Sequence, residues 1–176
     1  MQGKIILNLA ISLDGFIADK YGGFEWISGQ GDSRLDTDNE HNFDLFKESI
    51  DVVVMGSKSY HQGEQSYVND YKDKKVYVAT HDTRENKENI TFISGDIVGH
   101  VRQERDAGKM IYLFGGGIAI APFIKADIID EYMIAVIPVI LGNGRPLFME
   151  NNPTIALLLK DYSVRDGICQ LHYVRR

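Results

Sequence analysis

The chain has 176 residues, of which 44% are hydrophobic and 25% are charged, so its composition excludes a disordered or collagen-like protein. Its net charge of −6 argues against nucleic acid as a partner, because an acidic chain gains little from counterion release. The single cysteine excludes an internal disulfide and fits a reducing compartment, so we expect a cytoplasmic protein. Asn8 interrupts the apolar N-terminal stretch, which is too short to span a membrane.

The predicted elements alternate between strands and helices over the first two thirds of the chain. Apolar, β-branched runs predict buried strands at residues 4–12, 52–55, 75–80, 90–94 and 110–114. Asp36 or Asp38 is expected to cap a helix that runs to about Ile50, and Asp96 one that runs to about Ala107. A further helix is predicted from the glycines at 115–117 to Lys125 or Ala126.

The last third of the chain has strand patterns without a helix between them. The predicted strands cover residues 131–138, about 155–163, and 168–175, and Asn143-Gly144 is a turn signal. Strands that alternate with helices and are followed by a run of strands predict a three-layer α/β fold. We expect one domain over residues 1–176, with a mostly parallel central sheet and antiparallel strands at its C-terminal end.

The main candidate site is the glycine triplet Gly115–Gly117, which stands between an apolar strand and a helix. Glycine lets the backbone approach a phosphate closely, and a helix N-terminus offers free N–H groups. A tight turn that binds nothing is an equally good interpretation of the position alone. Gly56, which also follows a strand, predicts a second backbone site for phosphate or a plain helix start.

Several stronger motifs are not matched. The dinucleotide fingerprint would need a third glycine at Ile120, and the P-loop spacing fails around Gly56. A calcium loop that starts at Asp36 would need glycine at His41. No metal site is expected from the five histidines, and Cys169 is expected to pack as a small hydrophobic residue.

Four motifs in order give the chain a resemblance to a known family: SLDGFIA, VVVMGSKSY, IYLFGGGIAIAPFI and IDEYMIAVIPVILGNGRPLF. Together they resemble the dihydrofolate reductase-like fold, and within it the reductase domain of the bacterial riboflavin-pathway deaminase/reductase in a stand-alone form. This resemblance covers nearly the whole chain. It implies hydride transfer from NADPH or NADH to a pteridine- or pyrimidine-like small molecule. A nucleotide-binding module of the same fold without turnover is the alternative.

The resemblance also implies which residues hold the cofactor, with a cis bond in the glycine triplet. Those near the nicotinamide are Ala10, Ile17 and Ala18; those near the adenosine are Gly56, Ser57, Lys58, Ser59, Thr80 and His81; and those around the pyrophosphate are Gly115, Gly116, Gly117, Ile118 and Ala119. The family usually has arginine where this chain has Ser57, and arginine suits the 2′-phosphate of NADPH. Lys58, His81 or Arg84 could substitute for it.

The substrate side is less defined. Asp14 either stabilises a turn before Gly15 or acts as the catalytic acid. Glu40 is the second candidate for that acid, although a different count along the chain points to Asn42, and Glu40 could also be a solvated helix charge. Trp26, which could instead anchor its loop, and Phe114 are predicted to contact the substrate. The C-terminal strands and the LGNGRPLF hairpin resemble the part of the family that pairs subunits, so we expect a homodimer.

Overall fold

The computed structural model describes residues 2–64 and 66–176, and these form ten strands and four α-helices. The strands are β1 (Lys4–Ser12), β2 (Phe16–Asp19), β3 (Val52–Gly56), β4 (Lys75–Thr80), β5 (Ile90–Ser94), β6 (Met110–Gly115), β7 (Glu131–Ile137), β8 (Gly144–Pro146), β9 (Leu157–Arg165) and β10 (Ile168–Arg175). The helices are α1 (Phe43–Ser49), α2 (Ser57–Gly63), α3 (Ile97–Asp106) and α4 (Gly117–Lys125), with a 3-10 helix at Tyr67–Tyr71.

Eight of the strands form one sheet in the order β5-β4-β3-β6-β1-β7-β10-β9. All neighbours from β5 to β7 are parallel, whereas β10 is antiparallel to both β7 and β9. The predicted fold class is therefore confirmed, including the change to antiparallel pairing at the C-terminal end. The parallel strands are short apolar runs because helices cover both faces of this part of the sheet.

Two hydrophobic clusters show how the layers pack. Successive residues of β1 alternate between them: Ile5 belongs to one cluster and Ile6 to the other. The first cluster includes Phe123 of α4, and the second includes Phe46 of α1 and Tyr60 of α2. Helices α1 and α2 therefore cover one face of the sheet, and α3 and α4 cover the other.

Helix α1 begins later than predicted. Its cap is Asn42, whose side-chain oxygen accepts a hydrogen bond from the Leu45 N–H at 3.0 Å. Neither Asp36 nor Asp38 caps it, so that prediction is wrong. The Asp36 carboxylate instead accepts a hydrogen bond from the Asp166 N–H at 2.7 Å, in the turn between β9 and β10. Asp and Asn are nearly equivalent as caps, so composition alone cannot choose between them.

Asp96 caps α3 as predicted, with its carboxylate accepting a hydrogen bond from the Gly99 N–H at 2.8 Å. The glycine of Asn143-Gly144, in contrast, begins strand β8, which pairs antiparallel with β2 in a separate two-stranded sheet. A Cβ on Gly144 would collide with the backbone oxygen of Ala18, so this pairing requires glycine. Strand β9 also runs about two residues later than its pattern predicts.

Candidate active site

A cleft with a volume of about 1600 Å³ opens where the parallel strands end. Its lining includes Gly56 at the end of β3, Thr80 at the end of β4 and Gly115 at the end of β6. Ligands of open α/β sheets bind at this edge. Pockets for one small molecule usually measure roughly 300–1000 Å³, so this cleft has room for a large cofactor and a second molecule.

Every residue predicted to bind the cofactor lines this one cleft. Glycine allows the segments to meet: a Cβ on Gly56 would lie only 3.1 Å from the Cβ of Ala119. A Cβ on Gly117 would collide with the backbone oxygen of Pro146, so α4 can begin directly beneath β8 only with glycine there. The end of β3 and the start of α4 thus form a continuous wall of backbone.

The glycine triplet has the local geometry that the resemblance implied. The peptide bond between Gly115 and Gly116 is cis, and α4 begins at the next residue. A Cβ on Gly116 would lie 3.6 Å from Ile17 Cδ1 and 3.8 Å from Ser59 Oγ, within the cleft. Since the first N–H groups of a helix have no intrahelical acceptor, this segment offers donors to an anionic group.

Two of the three candidate cations for a 2′-phosphate lie in the cleft. Lys58 follows β3 and His81 follows the neighbouring strand β4, and both line the cleft with exposed side chains. Arg84 lies outside the lining: its Nη1 is 2.6 Å from His61 Nε2 and its guanidinium is 5.7 Å from the centre of the Phe92 ring.

The other part of the cleft lies on the face of the sheet that α1 covers. Phe43 of α1 and Tyr112 of β6 both line it, with their ring centres 6.3 Å apart. Phe114, predicted to contact the substrate, lies two residues further along β6 and also lines the cleft. This aromatic group therefore borders the region next to the predicted nicotinamide residues Ala10 and Ile17.

The loop before α1 brings Glu40 and His41 to the cleft because the turn between β9 and β10 anchors it. The Asp32 N–H donates to the Asp166 carboxylate at 2.9 Å, and the Thr37 N–H donates to the Val164 carbonyl at 3.0 Å. Glu40 and His41 then line the cleft. In turn, Arg165 Nη2 donates to Glu40 Oε2 at 3.3 Å, and Nη1 to Asp36 Oδ2 at 3.2 Å.

Sequence reasoning did not identify His41 as a site residue. His41 is half-buried, and its Nε2 lies 3.2 Å from Nδ2 of the buried Asn8. Desolvation, with repulsion from His172, lowers the pKa of His41 below its ordinary value of 6.5. The ring is therefore neutral at pH 7, and Nε2 can accept from the Asn8 amide while Nδ1 carries the hydrogen.

Two predicted residues lie outside the cleft lining. The Asp14 carboxylate accepts hydrogen bonds from Ser12 Oγ at 2.6 Å, the Leu141 N–H at 3.1 Å and the Gly142 N–H at 2.7 Å. These donors, the Ser12 hydroxyl first, lower the pKa of Asp14 below its ordinary value of 3.8. Trp26 Nε1 donates to the Gly23 carbonyl at 3.1 Å, which is the contact of a loop anchor.

Other lining residues were also missed, because they come from distant segments with ordinary surface patterns. Near Trp26, the exposed Phe24 and Ile27 line the cleft in its place. Further polar residues come from late in the chain: Arg145, Ser163, Arg165 and Gln170. The alternation of the C-terminal strands is the one sequence signal that could have placed Ser163 and Gln170 on a common face.

Known proteins resemble the chain over nearly its full length. Residues 3–173 match the model of the RibD C-terminal domain. An uncharacterized protein of Bacillus subtilis strain 168, YwjB, is 35% identical over 178 residues, which cover 99% of each chain. A putative riboflavin biosynthesis protein from Shewanella sp. PV-4 has a similar structure, with a TM-score of 0.80, 27% identity, and coverage of 98% of this chain and 99% of that one.

The fold extends to dihydrofolate reductase. The Enterococcus faecalis enzyme, solved with NADP(H) and RAB-propyl, aligns with a TM-score of 0.66 and 17% identity over 99% of this chain and 98% of its own. Within residues 2–64 and 66–176, no helix is long and apolar enough to cross a membrane. The same residues contain no cluster of three or more potential metal ligands.

The lowered pKa of His41 predicts a pH dependence of stability. As pH falls below about 6.5, the unfolded chain takes up the proton before the folded one, so the free energy of unfolding should decrease. The variant His41→Gln should lose less stability than the native chain between about pH 7.5 and about pH 5.5 in urea titrations. The exposed His100→Gln on α3 is the control, and equal losses in H41Q and the native chain would contradict the prediction.

Proposed function

The chain belongs to the RibD C-terminal domain family, and on that premise we propose that it is an NAD(P)H-dependent reductase that transfers hydride to a pyrimidine- or pteridine-like small molecule. One observation carries the proposal: residues from four separate segments, predicted for cofactor binding from the resemblance, all line a single cleft. A fold alone would not fix this function, but a shared cleft at the ends of parallel strands supports it.

The residues present fit a nicotinamide dinucleotide. Gly116 leaves space beside Ile17 and Ser59, so a pyrophosphate can approach the backbone at the start of α4. Ala10 and Ala18 have small side chains, which leave room for a flat ring beside β1. When bound, the cofactor supplies the hydride. The chain's own contribution is then to bind the phosphates, orient the ring and exclude water.

Reduction of the substrate needs a proton as well as the hydride. Glu40 is the candidate residue to hold this proton, and water is the alternative source. It lines the substrate part of the cleft, and Arg165 orients its carboxylate from one side. Asp14 is not carried into the proposal, because its carboxylate already accepts hydrogen bonds from Ser12 and from the backbone of Leu141 and Gly142. His41, neutral at pH 7, would accept hydrogen bonds rather than supply a proton.

Cofactor binding should depend on the open space at Gly116. In Gly116→Val, the added methyl groups would occupy the region between Ile17 and Ser59, so NADPH affinity should fall at least about tenfold. Calorimetric titration measures the affinity, and circular dichroism checks that the fold is retained. Gly31→Asn is the control, because Gly31 lies outside the cleft and its φ of +75° is one that asparagine tolerates. A native chain that binds neither NADPH nor NADH would overturn the proposed function.

Turnover separates the reductase from a nucleotide-binding module. The reductase oxidises NADPH, followed by absorbance, in the presence of a pyrimidine or pteridine acceptor. Normal cofactor binding without oxidation across a broad panel of such acceptors would favour the module.

We further propose that Lys58, with His81 from the end of the neighbouring strand, contacts the 2′-phosphate and favours NADPH over NADH. Lys58→Ala should weaken NADPH binding by about tenfold and leave NADH binding nearly unchanged, because only NADPH carries the extra charge. The exposed Lys72→Ala lies outside the cleft and is the control. Equal losses for the two cofactors, or no loss, would contradict this role for Lys58.

The chain is also proposed to form a homodimer through β9. Among residues 2–64 and 66–176, β10 is the only strand that pairs with β9, which ends the sheet. Leu158, Leu159 and Tyr162 on β9 are 56%, 47% and 57% exposed. Exposed apolar groups on an edge strand favour association with another chain.

Light scattering tests the dimer. The native chain should give twice its 19.9 kDa mass, and Tyr162→Lys should shift the mass towards that of one chain. Gln103→Lys adds the same charge on the exposed side of α3 and should leave the mass unchanged. A native chain that stays at 19.9 kDa over a range of concentrations would exclude the dimer.

A further inference from the structure

A row of four side chains crosses the sheet within the cleft. Strand pairing places Ala10 beside Ala135, Ala135 beside Gln170, and Gln170 beside Ser163. All four line the cleft. Because partners in register point to the same face of a sheet, the row runs from β1 through β7 and β10 to β9 on the face that α1 covers.

The row changes from small to polar along its length. Ala10 and Ala135 carry only a methyl group, so a planar ring can lie flat against the sheet at Ala135, beside the nicotinamide position at Ala10. Neighbouring strands are about 4.8 Å apart, so the side chain of Gln170 begins roughly 5 Å beyond Ala135. A ring centred near Ala135 would therefore present its edge to Gln170.

Gln170 has an unused donor at that edge. Its Nε2 is buried, and no atom of residues 2–64 and 66–176 accepts a hydrogen bond from it. Ser163, next to it in register, is 7% exposed and adds a hydroxyl to the same part of the lining. A buried amide N–H without an acceptor is costly, and a ligand that brings an acceptor removes that cost.

The charges nearby favour a neutral acceptor over a phosphate. Arg165 is the cation that follows Ser163 on β9, and its guanidinium is already paired with Asp36 and Glu40. With Asp166 also lining the cleft, carboxylates outnumber cations around this end of the row. An anionic group would meet repulsion here, whereas a carbonyl oxygen would not.

We propose that Gln170, assisted by Ser163, recognises a ring carbonyl on the edge of a planar heterocycle that lies on Ala135, beside the nicotinamide position at Ala10. This inference rests on the proposed reductase function and adds to it the residue that selects a ring with a carbonyl at this edge. Gln170 is thus a specificity-determining residue. A ring with an amino group in place of the carbonyl would set a donor against the donor of Gln170.

Two probes of nearly equal shape test the inference. 5,6-Diaminouracil carries ring carbonyls, and 2,4,5,6-tetraaminopyrimidine carries amino groups at the same positions. Their affinities are measured by ligand-observed NMR on the full chain saturated with NADP⁺, at about pH 8, where both probes are uncharged. The native protein should bind the uracil at least about tenfold more tightly.

The variant Gln170→Glu replaces the donor with an acceptor of the same shape. This variant should weaken binding of the uracil by about tenfold and should remove or reverse the preference between the two probes. Gln170→Met keeps the side-chain length without a hydrogen-bond donor and should remove the preference for the uracil. If Gln170→Glu does not fold, this second variant tests the inference. Cys169→Ser, at the adjacent position on the opposite face of β10, should change neither affinity.

The outcomes separate this inference from the proposed function. If the native chain binds neither NADP⁺ nor NAD⁺, the proposed function fails. If NADP⁺ binds but the native chain does not prefer the uracil, or the Gln170 variants keep that preference, only the carbonyl recognition fails. If both Gln170 variants fold but lose affinity for NADP⁺ as well as for the uracil, Gln170 has a structural role. That result would also overturn the inference.

Discussion

Parallel pairing around β1 is the constraint on which the candidate site depends. Strand β1 lies between β6 and β7 and is parallel to both, and β3 lies on the far side of β6. Parallel strands all end at one edge, so this order brings together loops that are far apart in sequence. The glycine triplet after β6 meets Gly56 after β3 for this reason. Without the order of these strands, none of the segments would form a common surface.

Glycine allows the backbone segments to meet as closely as they do. The contact between Gly56 and Ala119 joins the end of β3 to α4, and the contact of Gly117 with Pro146 seats α4 beneath β8. A side chain at Gly117 would collide with Pro146, and one at Gly56 would crowd Ala119. This wall of the cleft is therefore made mostly of backbone groups. For that reason few of the residues predicted to bind the cofactor have charged side chains.

Patterning in the sequence predicted the parallel strands well, because each is a short apolar run buried on both faces. It was less successful where an element depends on a partner. Strands β2 and β8 stabilise one another across more than a hundred residues, and neither has a strong pattern of its own. Asp36 was predicted as a helix cap, but its carboxylate accepts a hydrogen bond from the Asp166 N–H in the turn between β9 and β10. Its chemistry was suited to either role, and only the position of that turn decided between them.

By itself, the sequence determined the fold class, the glycine segments and, through the resemblance, the set of residues proposed to bind the cofactor. These features are local or lie in ordered motifs, so they can be recognised along the chain. Only the tertiary structure decided which side chains line the rest of the cleft. Asn8, His41 and Gln170 reach one face from three distant segments, while Asp14 and Trp26 are held outside the cleft by nearby hydrogen bonds. Strand register sets which distant side chains share a face, and no local pattern encodes that register between strands so far apart.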